Sequence, residues 1–201
     1  MQIACIVEGD GEVQAVPLLV SRIIRESHPH LSVRVFTATN FRGRDKFQHR
    51  VVVQRAVDGA ARRVGTGGAV LMLLDADDDC PVELATRLLE WAREARSDVY
   101  TAVVVANREY EAWFLAAAES LQGHRGVGPD LQPPSDPESV RGAKEWLTRN
   151  MPRRQPYAPT RHQASFSAQI DLRLARQNSR SFRKLDTEVR RLVDALQASQ
   201  T

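Results

Sequence analysis

The stretch that most restricts this chain is Val70-Leu71-Met72-Leu73-Leu74, which runs directly into Asp75-Ala76-Asp77-Asp78-Asp79-Cys80-Pro81. Five apolar residues in a row, between Gly67-Gly68 and Pro81, predict a strand buried on both faces. Such a strand needs a sheet covered by helices on both sides. Its acids then fall at the carboxyl end, the edge where ligands bind in open α/β sheets. Carboxylates a few Å apart repel by roughly 1 kcal/mol in water, and several-fold more at reduced dielectric. The run therefore calls for a cation. Asp75 and Asp77 share one side of an extended chain, which suits a hard divalent metal.

The rest of the chain supplies more strands of the same kind. Gln2 to Val7 is a short apolar run that ends in Glu8-Gly9-Asp10-Gly11-Glu12. Val16, Leu19, Val20, Ile23 and Ile24 then form one helical stripe, with a start expected near Pro17. Ser32 to Ala38 reads as a second strand. Asp45 to Val64 reads as a second helix, with Arg42, Arg44, Lys46 and Arg50 near its start taken as surface. Ala85, Leu88, Leu89 and Ala92 mark a third helix, and Val99 to Ala106 a fourth strand that ends in Asn107-Arg108-Glu109-Tyr110-Glu111. Strands alternating with helices predict an α/β fold: a mostly parallel sheet of about four strands flanked by helices, all tips at one edge. Glu8, Asp75, Asp77 and Glu109 or Glu111 are expected to converge there. If the chain is already helical at Tyr110, the two glutamates point about 200° apart and only one enters the site, with Glu109 favoured.

Beyond this, residues 122–137 read as a loop rich in Gly and Pro, and residues 138–201 as a basic, helical C-terminal region packed on the sheet. Val140, Ala143 and Leu147 suggest a short helix, and Phe182, Leu185, Val189, Leu192, Val193 and Leu196 a longer one. From Arg141 onward there are thirteen Lys and Arg against five Asp and Glu, whereas the first 140 residues carry fifteen against twenty. An acidic part followed by a basic part suits a polyanion such as nucleic acid, and a solvated helical face accounts for the same charges equally well. No apolar run approaches the ~20 residues of a membrane span, and Met1-Gln2-Ile3 does not open a signal peptide, so a cytoplasmic protein is expected. Cys5 and Cys80 form neither a disulfide framework nor a metal motif, and the five histidines form no zinc pattern.

Several uses of the acidic strand can be tested on spacing. A calcium loop beginning at Asp75 requires Gly and Glu where Cys80 and Thr86 stand. A phosphate-binding loop requires a lysine that Gly65-Thr66-Gly67-Gly68 lacks. A haloacid-dehalogenase-type phosphatase usually follows Asp-x-Asp with Thr or Val, where Asp78-Asp79 stand here, and a sugar-nucleotide transferase that uses Asp-x-Asp for a metal stays open on this motif alone. Asp78 and Asp79 serve equally well as ligands or as caps of the third helix.

Taken together, Glu8-Gly9-x-x-Glu12, Asp75-x-Asp77 and Glu109-x-Glu111-x-Trp113, each after a strand, resemble the Toprim superfamily. Within it, the chain looks similar to the small bacterial proteins near the OLD-family nucleases and RloB-like proteins, and the likeness covers roughly residues 1–121. The resemblance implies Mg²⁺ or Mn²⁺ held by Glu8, Asp75 and Asp77, with Asp79 a further candidate ligand. Glu12 and Glu109 or Glu111 would complete a second metal position or orient the attacking water. It also implies phosphodiester hydrolysis of DNA or RNA, in an anti-phage or DNA-processing setting, with any ATPase supplied as a separate chain. Ser179-Arg180-Ser181-Phe182-Arg183-Lys184 resembles a segment near the end of such proteins. Lys184 is the candidate for stabilising transition-state charge, and Arg153, Arg154, Arg180 and Arg183 are the candidates for gripping the nucleic-acid backbone. A non-catalytic nucleic-acid-binding or regulatory subunit is the alternative.

Overall fold

A computed structural model describes residues 1–199. Strands β1 (Gln2–Val7), β2 (Arg34–Val35), β3 (Thr39–Asn40), β4 (Ala69–Asp75) and β5 (Tyr100–Ala106) form one five-stranded sheet. Every pairing is parallel. β1 pairs with β4 on one side and with both β2 and β3 on the other, and β5 pairs with the far side of β4. Helices cover both faces of the sheet, with α1 (Glu12–Ser27) on one and α2 (Arg50–Val64) and α3 (Pro81–Ala95) on the other. Ile3, Cys5, Val7, Leu71, Leu73, Ala102 and Val104 enter the core beneath α1, while Ala4, Ile6, Val70, Met72, Leu74, Val103 and Val105 enter the one beneath α2 and α3. Alternate residues thus feed two cores, which is why these strands are unbroken apolar runs.

The edge strand and α1 differ from expectation for a shared reason. The helix starts at Glu12, and Pro17 lies inside it. Proline has no N–H to offer the carbonyl four residues back, Val13, so that carbonyl is free. It accepts the N–H of Ala38 at 3.3 Å instead. Ala38 lies between β2 and β3, so the expected strand over 32–38 is two short pieces with a detour to the helix. The expected second helix from Asp45 is likewise divided, into a 3₁₀ turn at Arg44–Gln48 and α2, with extended backbone at His49.

The remaining helices are α4 (Ala112–Ala116), α5 (Ala143–Arg149), α6 (Pro159–Gln169), α7 (Leu172–Asn178) and α8 (Arg180–Ala198). They extend the core on the α1 side, where Trp113, Phe114, Phe166 and Phe182 are fully buried. Periodicity gave no element for α6 or α7. The buried residues of α6 are His162, Gln163, Phe166 and Ser167, so its inner face is mostly polar and carries no apolar stripe. Among the described residues, no helix is long and apolar enough to cross a membrane.

Gly11, between β1 and α1, sits directly against α6. A Cβ there would meet Gln163 Oε1 and come within 2.8 and 2.9 Å of Pro159 atoms. Gly11→Ala is expected to destabilise the fold by about 1–3 kcal/mol through overpacking, read as a lower urea midpoint at unchanged slope.

Candidate functional site

The register of the sheet brings three strand tips level. Val7 lies opposite Leu73, and Asp75 opposite Ala106, so Glu8, Asp75 and the turn after β5 meet at one edge. Glu8 Oε2 accepts the Asp75 N–H at 3.4 Å. In the first turn of α1, Glu12 reaches back so that its Oε2 accepts the N–H groups of Glu8 at 3.0 Å and Gly9 at 3.3 Å. Asp75 Oδ1 accepts the Tyr110 N–H at 2.7 Å. Glu111 is fully buried and accepts from Tyr157 Oη at 2.9 Å and Gln163 Nε2 at 3.4 Å.

One cation enters this group of acids. Lys144, in the first turn of α5, places Nζ at 3.3 Å from Glu109 Oε2, 3.6 Å from Glu111 Oε2 and 3.9 Å from Asp75 Oδ2. Both glutamates therefore enter the site. The expectation that only one would do so required a chain already helical at Tyr110, but α4 begins at Ala112, so both glutamates lie in the turn before it and the lysine from α5 bridges the two. Gly142, at φ 73°, makes the left-handed turn that starts α5, and the next N–H, of Ala143, reaches Glu109 Oε1 at 3.3 Å.

Burial raises the carboxyl pKa of Glu8 above its ordinary value. Burial also pushes Glu12 up to about 7, against the lowering effect of its backbone hydrogen bonds. Asp75 is raised well above the ordinary range, by burial first and then by Glu12 and Glu111. Glu111 is raised by burial, with Lys144 opposing. For Lys144, burial pulls the ammonium pKa down, but Glu111, Asp75 and Glu109 outweigh it and hold the pKa above the ordinary lysine value. The cluster is short of positive charge: Glu109 Oε2 and Glu111 Oε2, both buried, share the single Lys144 ammonium with Asp75.

Arginines surround the outer rim. Arg44 donates to the backbone oxygens of Asp75 and Ala76 and pairs with the carboxylates of Asp77 and Asp79. Asp78 pairs with Arg108 at 2.9 Å and Arg141 at 2.7 Å, which together hold its carboxyl below the usual range. Arg42, exposed, helps line an open hollow of about 580 Å³ that also includes Glu8 and Asp10. Arg42, Asp77 and Arg108 all have positive φ, the strained backbone that clusters at functional sites.

Of the residues expected at the site, Glu8, Glu12, Asp75, Glu109 and Glu111 come together, while Asp77 and Asp79 are exposed at the rim, held by Arg44. The basic candidates of the tail lie apart from these acids. Lys184 pairs with Glu188 at 2.8 Å, and Arg183 caps α7 by donating to the Arg176 and Gln177 carbonyls. Arg180 is exposed in a groove between α3 and α8, and Arg153 and Arg154 are exposed in the segment before α6. The cations nearest the acids are Lys144 and Arg44. Arg44 belongs to a basic cluster that resembled ordinary surface, and Lys144 had no signal beyond its place after Gly142.

The donor set here is all oxygen, which suits a hard cation, although among the described residues no three acidic, His or Cys side chains are already arranged to hold a metal. Fold and site define an α/β protein with a carboxylate cluster at the carboxyl edge of a parallel sheet. Residues 7–190 match the family described as a domain of unknown function, DUF4276, and the chain belongs to that family. No curated protein matches the chain. Among solved structures, the C-terminal region of the OLD protein of Xanthomonas campestris pv. campestris is similar at 15% identity and a TM-score of 0.46, covering 98% of this chain and 97% of that one.

Two stability measurements follow from the cluster. Glu12 ordinarily titrates at 4.5 but here at about 7, so the folded chain keeps a proton that the unfolded chain has lost. Without divalent metal, stability should therefore fall as pH rises from 4.5 through 7, by up to a few kcal/mol, seen in urea midpoints taken in EDTA. Lys144→Met should cost roughly 1–3 kcal/mol at pH 8, moderated by the partial exposure of the lysine, and less at pH 5, where the orphaned acids take up protons.

Proposed function

We propose that the chain is a metal-dependent phosphodiesterase acting on nucleic acid, of the Toprim type. The observation that carries this reading is the cluster itself: five carboxyl groups from two strand tips, the first turn of α1 and the turn after β5, with one ammonium shared among three of them. The order Glu8-Gly9-x-x-Glu12, Asp75-x-Asp77, Glu109-x-Glu111 supports the same reading. Glu8, Asp75 and Asp77 would hold Mg²⁺ or Mn²⁺, with Glu12, Glu109 and Glu111 behind them. A bound divalent ion supplies Lewis acidity toward a phosphoryl oxygen and lowers the pKa of a water molecule.

The chain's own groups do the rest. The Tyr110 N–H fixes the orientation of Asp75, and Tyr157 with Gln163 fixes Glu111, so that both carboxylates are held in position before substrate arrives. Arg44 anchors the turn that carries Asp77 and Asp79. Arg42, Arg108 and Arg141 offer guanidinium groups to phosphates crossing the rim, a role first expected of Arg153, Arg154, Arg180 and Arg183. A non-catalytic reading, in which the acids are structural, draws on one observation: Lys144 is already seated against three of them.

Mn²⁺ calorimetry and cleavage assays separate the two. Wild type should bind Mn²⁺, and Asp75→Asn should lose that binding. Cleavage of plasmid, single-stranded DNA or structured RNA, with and without a partner ATPase, should drop roughly 100-fold or more in Glu8→Gln and Asp75→Asn while polyanion binding persists. Equal Mn²⁺ affinity in wild type and Asp75→Asn, together with no metal-dependent cleavage, would leave the non-catalytic reading standing.

A further inference from the structure

β5 is the last strand of the sheet, and among the described residues no other strand pairs with its outer side. α3 covers one of its faces and α8 the other, leaving a groove of about 700 Å³ between the two helices along that open edge. The apolar wall includes Val82, Ala85, Leu89, Val103 and Val105. Val82 is 73% exposed, and Tyr100, at the start of β5, is 48% exposed, so two of the three large exposed hydrophobics among the described residues lie beside this edge. We propose that the groove docks an extended, acidic segment of a partner protein, which adds to β5 as a further strand.

Charge decides the occupant. The groove carries Arg93, Arg180, Lys184 and Arg191 against only Glu138 and Glu188. Glu138 is committed internally: its Oε1 accepts from Ser179 Oγ, Ser181 N and Ser181 Oγ at 2.6, 2.7 and 2.6 Å. Glu188 is held by Lys184 at 2.8 Å and Arg191 at 3.0 Å. Arg93 and Arg180 remain exposed without an ion pair among the described residues, facing whatever lies on the edge. A second copy of this chain is disfavoured. Antiparallel pairing of two β5 edges about a two-fold axis normal to the sheet sets α8 against α8 and brings like charges together. Single-stranded nucleic acid fits less well, because among the described residues no aromatic ring lines the groove itself, and Tyr100 at the start of β5 offers a single ring where successive bases need several. A polypeptide satisfies both features of the edge, pairing its backbone with β5 and placing alternate side chains on the apolar wall and toward the arginines.

The test uses the full-length chain and a fluorescein-labelled peptide of alternating glutamate and valine, as long as β5. Binding is followed by anisotropy, beside a lysine–valine peptide, an alternately N-methylated copy and labelled oligo-dT. The glutamate–valine peptide should bind in a salt-sensitive manner, and N-methylation should abolish binding by removing the ladder donors. The double variant Arg93→Glu/Arg180→Glu, whose changes are both on the surface, should weaken it roughly tenfold or more. Asp75→Asn should bind the peptide as wild type does, which separates this result from the fate of the acidic centre. The proposal is overturned if the folded protein binds none of the peptides, or if the lysine–valine or N-methylated peptide binds equally well. It is likewise overturned if oligo-dT binds through Arg93 and Arg180, or if sedimentation shows a dimer that Val82→Glu dissociates.

Discussion

The ammonium of Lys144, within 4 Å of Asp75, Glu109 and Glu111, is the interaction on which the acidic edge depends. A parallel sheet with helices on both faces forces its carboxyl ends together, and here those ends carry acids. Left alone, that arrangement is repulsive and cut off from water, and the raised pKa values of Glu8, Glu12, Asp75 and Glu111 record the burial first and the neighbouring acids second. The lysine relieves only part of it. Its arrival ties α5 to the sheet, and Tyr157 and Gln163 add donors from just before and within α6, so the C-terminal helices are electrostatic partners of the acidic edge as well as packing partners.

Strands β1, β4 and β5, and the convergence of Glu8, Asp75 and Glu109, were legible because two-sided burial writes continuous apolar runs into the sequence and ends them at acids. Pro17 misled, because its usual place in the first turn is a statistical preference. Here the missing N–H is used mid-helix to free the Val13 carbonyl for Ala38. α6 left no apolar stripe, since His162, Gln163 and Ser167 are buried through hydrogen bonds rather than hydrophobicity, and α7, seven residues long with Leu172 and Ala175 buried, is too short to show a period. Lys144 could not be found from sequence: its role comes from a long-range approach across the site, and local spacing carries no trace of that.

Arg44 illustrates the same limit from the opposite side. Four basic residues near the start of α2 looked alike, yet only the one placed by the 3₁₀ turn after Gly43 reaches the acidic turn, while Arg50, for example, pairs with Glu94 on the surface. Its guanidinium holds two backbone oxygens and two carboxylates at once, a fork geometry that lysine could not reproduce.

The two edges of the sheet are not equivalent. On the β1 side the border is two strands of two residues each, interrupted by the detour to α1. It is further occupied by Arg34 and Arg63, which stack on Phe36, and by the Arg63 bond to the Thr37 carbonyl. Short, bent and charged borders are how sheet proteins discourage edge-to-edge growth. Open-ended polymerisation of such a sheet requires each molecule to offer two complementary edges, so that every addition exposes a new one. This molecule offers one, so copies meeting at β5 would stop at a pair instead of growing into a fibre.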